Sequence, residues 1–292
     1  MDMSDPNDIL EELRTKGVID NEVIVDRQLR GTTEGKVYVL ALHGKPVQVL
    51  KFDEPRQIEC AAHFLLAYRD VPLLPKVHYT DPHKTFFIYS YVPGVTNGQR
   101  SAKTEWLPMI SVQLIGRYKY TVPPASGWGW MDAPSPSWRQ FNLQRLAESR
   151  PVIGNVLPEE DYAAVRKFAE EAAWYERLEQ PYLLHGDCGV HNFLFDGFRL
   201  AGLIDPLPVL GPPIHDLLFA FCSSPDDLSL DTLLSGYSAL KDIPEHNALD
   251  LPFLMKETMI HLYCRIATCL IYHPQDLPLY LEAWDAWKRM LS

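Results

Sequence analysis

Apolar positions alternate with polar ones in short runs early in the chain, then recur at helical spacing, and the change falls just after Val92-Pro93-Gly94. Val23-Ile24-Val25, Val37-Tyr38-Val39-Leu40 and Pro46-Val47-Gln48-Val49-Leu50-Lys51 are β-branched or aromatic runs. Such runs fit a pleated, half-buried surface and predict strands. His43-Gly44-Lys45 between the last two predicts a hairpin turn. Residues 76–79 and 86–91 predict two further strands, joined by the turn-rich segment 80–84. The same stretch carries a short N-terminal helix over 6–16. A second helix is opened by Pro55, with Ile58, Ala61, Ala62, Leu65 and Leu66 on one face.

Beyond Gly94 the pattern is mostly helical. Residues 161–179 predict an amphipathic helix with Ala164, Val165, Phe168, Ala172 and Tyr175 on its inner side. A loop rich in Trp, Pro, Gly and Ser covers 122–138. Short strands are predicted at Phe193-Leu194-Phe195 and over 201–204, and helices resume at Ile214. A strand-rich stretch followed by a helical one is an α+β layout, with an N-terminal unit over 1–91 and a helical unit over 92–292.

Composition narrows the class. The 292 residues are 47% hydrophobic and 22% charged, an ordinary globular balance with ample length for a core. No run of about 18 apolar residues occurs, so no membrane association is expected. The polar, acidic start Met1-Asp2-Met3-Ser4-Asp5-Pro6 does not read as a secretory signal. Five cysteines, an odd number without a CxxC pair, argue against a disulfide framework or zinc site and for a cytoplasmic setting. The net charge of −11 argues against nucleic acid as a partner. It suits either a cationic small substrate or simple solubility.

The chemistry is concentrated in Leu184-His185-Gly186-Asp187-Cys188-Gly189-Val190-His191-Asn192, followed by Leu203-Ile204-Asp205. A lone Asp or Asn in a loop is ordinarily a cap or turn residue. An Asp five positions before an Asn, then an apolar hairpin ending in Asp, is the spacing of a phosphoryl-transfer site. Asp187 is the candidate catalytic carboxylate, ionised near neutral pH to orient an attacking hydroxyl. Asn192 and Asp205 are the candidate ligands of Mg2+, which needs few protein oxygens when phosphates and water supply the rest. His185 reads as a structural holder of the loop, His191 as either substrate-facing or solvent-facing, and Cys188 as packing.

Weaker signals lie upstream. Gly31 and Gly35 sit four apart between strands, where backbone amides could approach phosphates; a plain glycine-containing hairpin gives the same pattern. Val37 follows, where an apolar side chain would cover an adenine ring. Lys51 ends a strand, and Glu59 on the next helix is the candidate acid to hold it against the phosphates. Backbone groups of Ser90, Tyr91 and Val92 would meet the adenine edge.

These residues together resemble the aminoglycoside phosphotransferase family, the small-molecule branch of the kinase-like fold that also includes choline kinases. The resemblance is strongest from Tyr182 to Cys222, through His-Gly-Asp-x-x-x-x-Asn, Leu-Ile-Asp-Pro and Gly211-Pro212-Pro213-Ile214-His215-Asp216. It implies a two-lobe protein-kinase-like fold. The small N-terminal lobe would be an antiparallel sheet with one helix, and the larger C-terminal lobe would be mostly helical. It implies ATP or GTP as donor, Asp216 as a brace for the catalytic loop, and Tyr91-Val92-Pro93-Gly94 as the inter-lobe hinge. Gly127-Trp128-Gly129-Trp130 resembles a substrate-side insertion, and Trp138 is expected to pack the helical lobe.

Two departures stand out. Lys51 and Glu59 are closer than the family usually places this pair. Only eleven positions separate Asp205 from Asp216, which leaves no room for a protein-kinase activation segment, so a small-molecule acceptor is expected and no protein partner. The resemblance points first to an aminoglycoside or another antibiotic-like acceptor, hence to a role in resistance. A choline, homoserine or sugar kinase shares every catalytic part. A nucleotide-binding protein without catalysis remains the alternative from another class.

Overall fold

The structure is a computed structural model, and it describes residues 5–29, 35–96, 98–121, 127–240 and 250–291. Helix α1 (Pro6–Thr15) starts on an Asp5 cap whose carboxylate accepts from the Asn7 N–H. Strands β1 (Ile24–Leu29), β2 (Lys36–Leu42) and β3 (Lys45–Phe52) form a meander. His43 and Gly44, at φ 51° and 75°, make the two-residue turn between β2 and β3. Positive φ at both positions matches the twist of the paired strands. Helix α2 (Pro55–Ala67) follows, then β4 (Val77–Thr80) and β5 (Phe86–Ser90). The antiparallel sheet has the order β1-β2-β3-β5-β4.

Strand alternation sorts this sheet into two faces. Leu40, Leu50, Phe52, Phe86 and Ile88 pack under α1 with Leu10 and Leu13. Val49, Phe87 and Tyr89 face the other way and join one continuous core with α2 and the helical lobe. Helix α2 buries Ile58, Ala61, Ala62 and Leu65 as expected, but Leu66 is exposed and Phe64 takes its place inside. The helix stripe is thus centred on 58, 61, 64, 65 and 68, one residue away from Leu66. The N-terminal lobe accordingly carries two helices, α1 outside the sheet and α2 between sheet and catalytic lobe.

The helical lobe contains α3 (Lys103–Gln113), α4 (Trp138–Ile153), α5 (Glu159–Glu171), α6 (Ile214–Cys222), α7 (Leu230–Tyr237), α8 (Leu251–Tyr272) and α9 (Leu277–Leu291). Two small sheets sit among them. One has the order β6-β10-β7, from β6 (Gly129–Trp130), β7 (Tyr182–Leu184) and β10 (Val209–Gly211); the other is the hairpin of β8 (Phe193–Asp196) and β9 (Arg199–Leu203). The segment expected as a loop over 122–138 therefore holds a strand at Gly129–Trp130, while residues 122–126 lie outside the described ones. Trp138 is 2% exposed and packs on Phe141, so it is a core residue as expected. Among the described residues, no helix is long and apolar enough to cross a membrane.

The helix expected over 161–179 ends early. It stops at Glu171, and Ala173–Arg177 continues as a 3-10 turn after Ala172, whose ψ of 87° is not helical. Arg139 of α4 donates to the carbonyls of Glu170 and Ala172, which satisfies acceptors that a continuing helix would have used. The break turns Trp174 and Tyr175 inward onto Phe253 of α8.

One buried hydroxyl fastens the lobes together. Tyr68, just past α2, donates to the Leu183 carbonyl at 2.6 Å and accepts from the Lys119 N–H at 2.9 Å. Tyr68→Phe removes both bonds and leaves backbone groups without a partner next to β7. The expected cost is about 1–3 kcal/mol, read as a lower urea midpoint at unchanged slope.

Candidate active site

The catalytic loop is built between β7 and β8. Gly186 lies at φ 80°, and a Cβ there would stand 1.9 Å from the Leu207 carbonyl oxygen, so only glycine fits. Asp216, at the start of α6, accepts from the N–H groups of His185 at 2.9 Å and Gly186 at 3.2 Å, and from the Tyr118 hydroxyl at 2.5 Å. Burial pushes the Asp216 carboxyl up to about 7, against the pull of those three donors. The geometry is that of a brace. His185 is fully buried, and its Nε2 lies 3.1 Å from the Ile204 carbonyl. A carbonyl only accepts, so that nitrogen carries the proton. Burial holds the ring near pKa 4 and keeps it neutral. His185 is therefore a structural tie from the loop to the residue before Asp205.

These restraints gather the carboxylates and the amide in one place. The Asn192 amide donates to the Asp187 carboxylate at 2.8 Å and to its carbonyl at 3.0 Å. The His191 Nε2 lies 3.0 Å from both Asp187 oxygens, so His191 is bonded to Asp187 while its ring stays partly open to solvent. Burial alone would raise the Asp187 pKa, but the bonds from His191 and Asn192 outweigh it and hold the carboxyl below its ordinary value. Asp187 is thus ionised at neutral pH, which is what the catalytic role expected of it would need. On the far side, the Ile204 N–H donates to the Asn192 carbonyl at 3.0 Å, and Phe193 pairs with Leu203. Asn192 and Asp205 consequently stand at the same end of the β8–β9 hairpin. Asp205 adopts φ 55°, a left-handed conformation that Asp tolerates better than most side chains.

Lys51 reaches this cluster from the N-terminal lobe. Its Nζ is 3.3 Å from the Asp205 carboxylate and 3.4 Å from that of Asp53. Burial works against the charge, but Asp205 and Asp53 overcome it and raise the Lys51 pKa. Glu59 is exposed on α2, and among the described residues no ion pair joins it to Lys51. The short spacing accounts for this: α2 starts only four residues after Lys51, and Glu59, its fifth residue, lies on the exposed face of the helix. Asp53, the residue just past β3, escaped the sequence reading, although continuing the two-residue alternation puts it on the same side as Lys51.

The remaining candidates line the lobe junction. Val37 is the cross-strand partner of Lys51. Gly35 sits against the Phe52 carbonyl and Asp53, and Gly31 lies outside the described residues. The Ser90 N–H donates to the Lys76 carbonyl and the Tyr91 N–H to that of Val47, so those two donors are committed to the sheet. The Val92 N–H takes no part in these bonds, and the Val92 side chain packs against Gly202 of β9.

The donor set suits magnesium. Asn192 commits its NH2 group to Asp187, which leaves its oxygen as an acceptor, and Asp205 adds a carboxylate: two hard oxygens that need phosphates and water to complete a shell. Among the described residues no cluster of three or more His, Cys, Asp or Glu side chains could hold a metal by itself.

A sheet lobe that presents a lysine, and a helical lobe with a braced Asp, an Asn and a second Asp, define a kinase-like phosphotransferase. The model of the phosphotransferase enzyme family matches residues 26–249, and the chain belongs to that family, whose members phosphorylate hydroxyl groups of small molecules. Solved structures of the same fold include a thermostable mutant of aminoglycoside phosphotransferase APH(4)-Ia in ternary complex with ADP and hygromycin B. It is 18% identical at TM-score 0.61, with 96% of this chain and 97% of that one covered. The streptomycin–ATP complex of APH(2")-IIa is 19% identical at TM-score 0.57, covering 94% and 93%. Choline kinase LicA from Streptococcus pneumoniae is 14% identical at TM-score 0.55, covering 98% of each chain. No curated protein sequence matches.

Proposed function

We propose that this enzyme moves the γ-phosphoryl group of ATP or GTP to a hydroxyl of an antibiotic-like small molecule, with Mg2+ as the required ion. The observation that carries this reading is the Asp187–Asn192 hydrogen bond placed next to the Lys51–Asp205 ion pair. In this reading Lys51 grips the donor phosphates, and Val37 with the Val92 backbone receives the base. Asp187 accepts a hydrogen bond from the acceptor hydroxyl and aligns it; the loose transition state asks for little proton abstraction. Asn192 and Asp205 would hold magnesium, which when bound neutralises charge on the phosphates. Five free cysteines support a cytoplasmic location, where the nucleotide is abundant.

The test is nucleoside diphosphate release from ATP and from GTP by the purified chain, against a panel of hydroxylated antibiotics and amino alcohols. Release that depends on one acceptor and on Mg2+ is expected; no acceptor-dependent release in any class would contradict the proposal. A paired prediction concerns the lysine. Asp53→Asn should raise the nucleotide KM by about tenfold, the worth of a charge-assisted hydrogen bond, whereas Glu59→Gln should change it by less than about twofold.

A further inference from the structure

A cavity lies beside the catalytic loop, between α4, α6 and α8, with a volume of about 270 Å³. Trp130, Arg145, His215, Phe219, Thr268 and Ile271 are among its walls. Phe219 ties it to the chemistry, because its ring packs against Gly189, two residues past Asp187.

Two polar groups in its wall keep unused hydrogen-bonding capacity. His215 is 1% exposed, and its Nε2 is buried with no hydrogen bond. Its protonation follows from a chain of bonds. The His261 Nδ1 lies 3.0 Å from the Glu257 carbonyl, so that nitrogen donates. Burial drives both rings well below their ordinary pKa, so each carries a single proton. The His261 Nε2 must then accept from the His215 Nδ1, 3.0 Å away. The His215 Nε2 is left as a lone pair that can only accept.

Arg145 is the complement. Its guanidinium lies half-buried on the Phe141 ring and donates to Asn142 at 3.1 Å. Among the described residues it has no carboxylate within ion-pair distance, although Glu148 shares the cavity wall. Glu148 is exposed and accepts from Gln144. A half-buried guanidinium with unspent donors favours a planar carboxylate, which it can grip with two parallel bonds.

We propose that this cavity sets acceptor specificity by binding a hydroxylated carboxylate with an apolar face, its anion on Arg145 and one hydroxyl donating to His215, in preference to a polyamine. The inference rests on the phosphotransferase reading for its context but is tested by binding alone. Calorimetry on the full chain without nucleotide compares 3,5-bis(hydroxymethyl)benzoate, the matching benzylamine, the uncharged 1,3-benzenedimethanol, and 3,5-dimethylbenzoate. The first should bind at least about tenfold tighter than the benzylamine and the diol, the worth of one charge-assisted bond, and at least about threefold tighter than 3,5-dimethylbenzoate, the worth of one neutral hydroxyl–imidazole bond. Arg145→Gln should erase its advantage over the benzylamine, and Arg145→Lys should restore part of it. The proposal is overturned if the benzylamine binds as tightly, if none of the four binds, or if Arg145→Gln leaves the benzoate affinity unchanged. Equal binding of 3,5-dimethylbenzoate would remove the role of His215. Absence of phosphoryl transfer to any compound would count against the phosphotransferase reading and leave these affinities standing.

Discussion

Asp187→Asn should lower kcat by about 10²–10⁴-fold, the range for losing a positioned carboxylate, while thermal unfolding stays near that of the unaltered chain. The substitution keeps the volume of the side chain, and its carbonyl oxygen can still accept the Asn192 bond now made at 2.8 Å. What disappears is the negative charge that His191 and Asn192 stabilise. Nucleotide KM should change little, because Lys51 and Asp205 are untouched. A single-turnover assay beside a melting curve separates the two effects. Full activity in Asp187→Asn would remove the residue from the chemistry, and a melt shifted by many degrees would make it a structural carboxylate.

Gly186→Ala should be nearly as damaging by another route. The new methyl would stand 1.9 Å from the Leu207 carbonyl oxygen and would force φ 80° on a residue that disfavours it. Leu207 cannot retreat cheaply, since its N–H is bonded to the His185 carbonyl at 3.0 Å. Nor can Gly186 move freely, because its N–H is held by Asp216. The cost should be about 3 kcal/mol or more in urea unfolding, from strain and lost bonds combined. Because the peptide joins Asp187 directly, what still folds should transfer phosphoryl groups about 10²-fold more slowly. A stable Gly186→Ala protein with normal rate would show that the loop is held less tightly than its hydrogen bonds imply.

Much of this site could be read before the fold was known, for a physical reason. Asp187 and Asn192 are close in the chain, and their separation matches one loop of fixed geometry. Asp205 follows a short hairpin whose register, Phe193 opposite Leu203, is set by apolar alternation. Asp216, named only through the family likeness, does brace the loop. The strands of the first sheet were legible where they are β-branched or aromatic runs; β1 was read only over 23–25, because Asp26-Arg27-Gln28 carries no such signal. Strands β6, β7 and β10 were not, since two or three residues carry no periodicity and exist only through their pairing. The early end of α5 was hidden likewise: Arg139, more than thirty residues upstream, supplies the bonds that stop it. The partners of Lys51 show the same limit. Asp53 could have been found from strand periodicity, and the short Lys51–Glu59 spacing already marked that pair as a departure from the family. The cavity with Arg145 and His215 left no local signal, because α4, α6 and α8 meet only in the folded lobe.

In the proposed mechanism Asn192 and Asp205 serve one ion beside Asp187. Calorimetric titration of a non-hydrolysable ATP analogue, with and without magnesium, tests it most directly. In the unaltered chain magnesium should tighten binding at least about tenfold, and in Asn192→Ala and Asp205→Asn that gain should vanish. If magnesium tightens binding equally in all three proteins, the ion is held elsewhere and neither Asn192 nor Asp205 is its ligand.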